Sequence, residues 1–214
     1  MKKELIMLGP PGAGKGTVGS RLSVIWGLPL ISSGDLLREH LKNETEAGLN
    51  AKKYMEKGEL VPDKIVMKMV EEKLAEPLCE KGFIIDGFPR TISQAEMLDS
   101  MIDNADDTRV IYLSADDDFL VERLSLRRVC ERCGKIYHLV NLPPLKEGIC
   151  DFCGGNLVQR SDDREEIIRR RLEVYRQLTA PLIEYYKNKE ILYVVPGDGK
   201  LEDTISEIRK ITKW

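Results

Sequence analysis

No apolar run in this 214-residue chain approaches the roughly 20 residues that cross a bilayer, so no membrane-spanning segment is expected. The opening MKKELIMLGPPG reaches a glycine-rich turn too soon for a secretory leader, and a cytoplasmic location is the expectation. There is no surplus of positive charge: 33 Lys and Arg against 36 Asp and Glu leave a formal net charge of −3. Nucleic acid therefore has no electrostatic claim as a partner, although local basic clusters can still bind small anions. Low-complexity runs and internal repeats are also missing. With 42% apolar and 32% charged residues, the chain is expected to fold throughout, as one domain with small insertions.

Cysteine is present in an informative pattern. Cys130 and Cys133 form one Cys-x-x-Cys pair, Cys150 and Cys153 another, with sixteen residues between the pairs. The odd total of five, the missing leader and this spacing favour a metal over disulfides. Four thiolates make a closed tetrahedral shell with no position left for substrate water, which points to structural Zn2+ and away from metal catalysis. Iron in the same sulfur cage and a redox dithiol are the alternatives. His138 is left out of the ligand set because four sulfurs suffice, and His40 reads as exposed or helix-capping. Cys79 reads as a small buried thiol.

Five β-rich runs, ELIMLG, LPLIS, GFIIDG, TRVIYLS and ILYVV, alternate with helical patterns. Near-continuous apolar strands separated by helices predict a doubly wound α/β fold: a five-stranded parallel sheet covered on both faces. About 50 mostly helical residues between the second and third strands are too many for a simple crossover and read as one insertion. The Gly- and Pro-containing cysteine segment reads as a second. Asp162 and Asp163, three residues before Glu165 and Glu166, resemble a helix start. The helix that follows is expected to run to about Tyr186 with a kink at Pro181.

GPPGAGKGT, residues 9 to 17, fits the phosphate-loop pattern only in part, because Gly16 occupies the usual Ser/Thr slot and Thr17 comes one residue later. Its context carries the reading: a strand precedes it and a helix follows. Backbone N–H groups of such a loop and helix N-terminus cradle phosphate, and Lys15 can bridge the β and γ groups. GFIID ends in Asp86 at the sheet's carboxyl edge, where an acid can orient water around Mg2+. Arg123 and Arg127 are four apart, so on a continuing helix they share a face.

With SSGDLLR (32 to 38), GFPRT (87 to 91) and SDDREEIIRRRL (161 to 172), the chain resembles the adenylate kinases, within the nucleoside monophosphate kinases, over nearly its whole length. The resemblance implies MgATP + AMP ⇌ 2 ADP, with Mg2+ and structural Zn2+ as cofactors, ATP, AMP and ADP as partners, and a monomer. It divides the chain into a core (1–31, 62–126 and 164–214), an AMP-binding insertion (32–61) and a zinc-binding lid (127–163). It implies that Gly12, Ala13, Gly14, Lys15, Gly16, Thr17, Arg123, Arg127, Tyr137 and Lys200 contact ATP. Ser33, Arg38, Leu60, Val61, Gly87, Arg90 and Gln94 would hold AMP, with Gln94 reading the adenine edge. Lys15, Arg90, Arg127, Arg160 and Arg171 would surround the transferred phosphoryl, the last two also reaching AMP. Val18, Leu126, LPPL (142 to 145) and VPG (195 to 197) depart from the usual family pattern; none removes a charge from the implied transfer site. The readings that remain beside this one are a kinase for another monophosphate or with GTP as donor, a nucleotide-binding pseudoenzyme, and a phosphate-loop protein whose cysteine ribbon binds nucleic acid.

Overall fold

The computed structural model describes residues 2–102 and 107–214. Five strands, β1 (Lys3–Leu8), β2 (Leu30–Ser32), β3 (Gly82–Asp86), β4 (Thr108–Ser114) and β8 (Leu192–Pro196), form a wholly parallel sheet in the order β2-β3-β1-β4-β8. All five are the runs read from the sequence. Their patterning is continuous because each strand is buried on both faces. Leu5 and Met7 of β1 pack with Leu22, Leu120, Leu172 and Ile208, whereas Ile6 and Leu8 join Val70, Leu98, Leu182 and Tyr186 on the other side. Strand pleating sends neighbours to opposite faces, so one short strand organises both cores.

Helices α1 (Lys15–Trp26), α2 (Ser33–Lys42), α3 (Glu46–Met55), α4 (Asp63–Leu74), α5 (Ile92–Met101) and α6 (Asp117–Ser125) follow in chain order. The long connection between β2 and β3 is indeed helical, and α2 and α3 lie within it. Ser32, Thr45 and Thr91 cap α2, α3 and α5 by accepting the N–H three residues on. Among the described residues, no helix is long and apolar enough to cross a membrane.

The cysteine segment forms a separate small sheet. Strands β5 (Arg127–Cys130), β6 (Ile136–His138) and β7 (Leu157–Val158) pair antiparallel in the order β6-β5-β7. Here one expectation fails: α6 stops at Ser125, and Arg127 opens β5, so Arg123 and Arg127 do not share a helix face. The chain re-enters the main body through a short 3-10 turn at Ser161–Asp163, then α7 (Glu165–Val174) and α8 (Pro181–Asn188), and closes with α9 (Leu201–Thr212).

Asp162 and Asp163 do not cap α7. Arg164 holds the N-cap position with no side-chain bond, and both aspartates are drawn into arginine pairs instead. The predicted single helix reaches past Tyr186 but not as one α-helix. A π turn at Tyr175–Thr179 precedes Pro181, which heads α8. The wider turn accommodates proline's missing donor without breaking the chain's course.

Candidate active site

The carboxyl ends of β1, β2 and β3 bring Gly9, Ser32 and Asp86 to one edge of the sheet, the edge where open α/β folds bind ligands. The loop after β1 starts at Gly9 with φ of +144°, a conformation that side chains rarely tolerate; a Cβ there would also lie 2.6 Å from the Leu113 carbonyl oxygen. Gly14, in the left-handed region, is the N-cap of α1, so the helix's free N–H groups open onto the loop. Lys15 folds back across it, its Nζ donating to the carbonyls of Gly9 at 2.7 Å and Pro10 at 2.9 Å. Burial pulls the lysine pKa down to about 8; Asp86 opposes this, and Arg90, Arg171 and Arg127 reinforce it. Burial likewise raises the Asp86 carboxyl against the pull of Lys15 and Arg90.

Beside the loop lies a cleft, partly open to solvent, lined by Ser33, Arg38, Leu60, Val61, Arg90, Gln94, Asp162 and Arg171 among others. Of the nine residues assigned to AMP by resemblance, seven line it; Gly87 and Arg160 do not. Gly87 supports it, its carbonyl accepting from Ser33 Oγ at 2.6 Å and Arg90 Nε at 2.7 Å. Gln94 is only 2% exposed, and its amide already holds Arg90 N–H and Asp63.

The arginines are packed against one another. Burial depresses the guanidinium pKa of Arg90, with Arg171 and then Arg38 adding to the effect. Arg160 is lowered by burial, then by Arg38 and Arg127. Guanidinium stays charged regardless, so burial and mutual repulsion make it costly to hold these cations together away from water. Carboxylates offset part of that cost. Asp163, fully buried, accepts both Arg127 Nε at 2.7 Å and Nη2 at 2.6 Å, and Arg171 Nη1 at 3.2 Å. Asp162 pairs with Arg171 at 3.0 Å, and Asp35 with Arg38 at 2.6 Å. Burial tends to raise both Asp162 and Asp35, yet each carboxyl lies below its ordinary range because its arginine neighbours prevail. Arg160 Nε is buried with no hydrogen-bond partner among the described residues. Arg169 and Arg170, by contrast, make exposed pairs with Glu165 and Glu173.

Arg123 reaches from α6 to the Gly197 carbonyl at 3.1 Å, and its guanidinium stands 3.2 Å from where a Gly14 side chain would begin. It thus ties α6 to the turn after β8 and lies beside the phosphate loop. Lys200 is exposed at the N-cap of α9. Tyr137, assigned to ATP by resemblance, is buried inside the small sheet. Its hydroxyl lies 3.4 Å from Cys150 Sγ and accepts Asp151 N–H at 2.9 Å, so its polar atom belongs to the cysteine cluster.

That cluster is built from two matching turns. Gly134 N–H closes onto the Cys130 carbonyl, and Gly154 N–H onto the Cys150 carbonyl, each at 2.9 Å. The four sulfurs lie within 4.8 Å of one another, with Cys130 and Cys153 at 3.4 Å and Cys133 and Cys150 at 3.6 Å. A tetrahedral Zn2+ with bonds near 2.3 Å sets its sulfurs about 3.8 Å apart, so the donor set fits the ion. A Cβ on Gly155 would come within 3.0 Å of Cys130 Sγ, which explains the glycine there. His138 is not a ligand: its Nδ1 accepts the N–H groups of Val140 and Asn141. About 10 Å of extended strand separates Cys130 from Arg127, so the cysteines shape the small sheet while the arginine at its base pairs with Asp163.

Sequence reasoning missed the acids that hold the arginines. The alternation RSDDR was the available signal, but it was also a helix-start pattern. Thr179, whose hydroxyl donates to the Arg90 carbonyl at 2.9 Å, had no sequence signal at all. Cys79 is the buried thiol expected, and His40 braces the turn to α3 by bonding Thr45 Oγ1 at 2.9 Å.

Comparison with known proteins agrees with this geometry. A family model described as adenylate kinase matches residues 7–191. The chain is 52% identical over 210 residues to an adenylate kinase of Archaeoglobus fulgidus and 51% identical over 209 residues to one of Caldicellulosiruptor saccharolyticus, covering 97% of each chain in both cases. An adenylate kinase of Thermotoga petrophila is 46% identical across 100% of this chain and 99% of its own.

Proposed function

Because the chain belongs to the adenylate kinase family and so transfers phosphoryl groups to a nucleoside monophosphate, we propose that its reaction is MgATP + AMP ⇌ 2 ADP. The observation that carries this reading is the concentration of Lys15, Arg38, Arg90, Arg160 and Arg171 around the cleft and the loop beside it, where burial, reinforced by neighbouring cations, depresses the proton affinities of Lys15, Arg90, Arg160 and Arg171. Two polyanionic substrates remove that frustration.

Phosphoryl transfer needs little covalent help from protein; positioning and charge neutralisation supply most of the catalysis. Arg38 and Arg90 grip the AMP phosphate, whose oxygen is already a nucleophile, so no general base is required. The loop N–H groups and Lys15 hold the donor's phosphates, and Arg127, Arg160 and Arg171 cover the oxygens of the group in transit. Arginine's planar fork suits that task. Asp86 fits as the acid that holds Mg2+ through water: its Oδ2 stands 3.2 Å from where a Gly16 side chain would project, so the missing Cβ leaves room. When bound, Mg2+ neutralises charge on the donor's phosphates.

The segment 127–163 serves as a lid that excludes water, so the phosphoryl passes to AMP and not to solvent. Structural Zn2+ on its four cysteines supplies folding free energy on the order of 10 kcal/mol to a segment with few buried apolar residues. The test is ADP formation from ATP followed by a coupled assay with AMP, UMP, CMP and GMP as acceptors. AMP should be strongly preferred; absence of AMP-dependent turnover would defeat the reading.

A further inference from the structure

The Gln94 amide is held at both ends by groups that cannot exchange roles. Its Nε2 donates to Asp63 Oδ1 at 2.6 Å, and its Oε1 accepts Arg90 N–H at 2.7 Å. Asp63, in the first turn of α4, also accepts Thr91 Oγ1 at 2.8 Å through its other oxygen. A carboxylate only accepts and a backbone N–H only donates. Turning the amide over would set oxygen against carboxylate and NH2 against N–H, losing both bonds. One orientation therefore survives.

From this we propose that Asp63 is a positioning residue that sets base selectivity by locking the orientation of Gln94. The proposal rests on the AMP reading above. Each internal bond uses one of the amide oxygen's two lone pairs and one of its two hydrogens, which leaves one of each in a residue that lines the cleft. A 6-aminopurine presents an N6–H donor beside the N1 acceptor, which matches a free oxygen beside a free N–H. A 6-oxopurine presents the O6 acceptor beside an N1–H donor, which matches only the reversed amide. The lock thus selects adenine over hypoxanthine through a carboxylate that does not touch the base.

The test compares kcat/KM for AMP and for IMP, with ATP as donor, in the parent enzyme and in Asp63→Asn. The variant keeps the side chain's shape but offers a donor as well as an acceptor, so only Arg90 N–H still opposes reversal. Loss of a charge-assisted bond is expected to lower the AMP:IMP ratio about tenfold, with KM for ATP unchanged. A merely structural weakening would lower both acceptors alike and leave the ratio where it was; that result overturns the proposal. Asp63→Ser, small and still polar at a helix start, makes the same comparison if the first variant does not fold. A parent enzyme that fails to use AMP overturns the proposal together with the reading beneath it, whereas an unchanged ratio in an AMP-using enzyme overturns the lock alone.

Discussion

Replacing Asp163 with Asn should destabilise the protein far more than removing any surface ion pair. Asp163 has no exposed surface and accepts three guanidinium N–H bonds, two from Arg127 and one from Arg171. Asn offers one oxygen in place of two and turns an NH2 toward a second cation. Breaking a buried pair from one side costs about 3–5 kcal/mol, because the partner stays buried without compensation. Here the partners lie near Lys15 and Arg90, so the abandoned charge adds to existing repulsion. At about 2–4 °C per kcal/mol for a chain of this size, Tm should fall by about 6–20 °C. Calorimetry on Asp163→Asn and, as control, Arg170→Ala checks this. The control breaks an exposed pair with Glu173 at 2.7 Å, worth about 0–1 kcal/mol, and should shift Tm by no more than a few degrees. Equal small shifts in both variants would refute the idea that Asp163 neutralises the arginine cluster.

Three further outcomes follow from the same contacts. Lys15 has a folded-state pKa near 8, below its ordinary 10.5. The unfolded chain therefore holds more protons between those values, and this group's contribution to stability rises with pH across that window. Bound phosphate should restore the lysine's proton, so ATP binding at pH 9 should take up protons and binding well below pH 8 should not; calorimetry in buffers of different ionisation enthalpy reads the difference, and no uptake at pH 9 contradicts it. Cys130→Ser combined with Cys133→Ser should lower zinc per chain and the stability of the lid, and metal analysis showing unchanged zinc content would remove the cluster from the account. Thr179→Val loses the donor to the Arg90 carbonyl, a bond worth about 1 kcal/mol, so kcat/KM for AMP should fall about fivefold while Thr179→Ser retains it; equal activity in both would show that Arg90 is placed without the threonine.

The five sheet strands were legible because double burial makes each a short apolar run, as Leu5 to Leu8 show. The loop was legible because glycine and lysine stand where backbone and phosphate must meet. The small sheet was not, since strands of two to four residues carry no periodicity and the two cysteine turns set their course. The spacing of Arg123 and Arg127 puts them on one face only if the helix continues; α6 ends at Ser125 and Arg127 pairs with His138 across β5 and β6 instead. Asp162 and Asp163 look like capping residues in sequence, and only the fold reveals arginines arriving from β5 and from further along α7. The hydroxyl of Tyr137 carries no such signal either: a sulfur inside the small sheet holds it.

Phosphorus NMR of the parent protein with MgATP and AMP tests most directly whether one cleft passes phosphoryl from ATP to AMP while keeping it from water. ADP should appear as two molecules for each ATP consumed, with no matching growth of inorganic phosphate. Inorganic phosphate rising in step with ATP loss, or ATP left untouched in the presence of AMP, would contradict it.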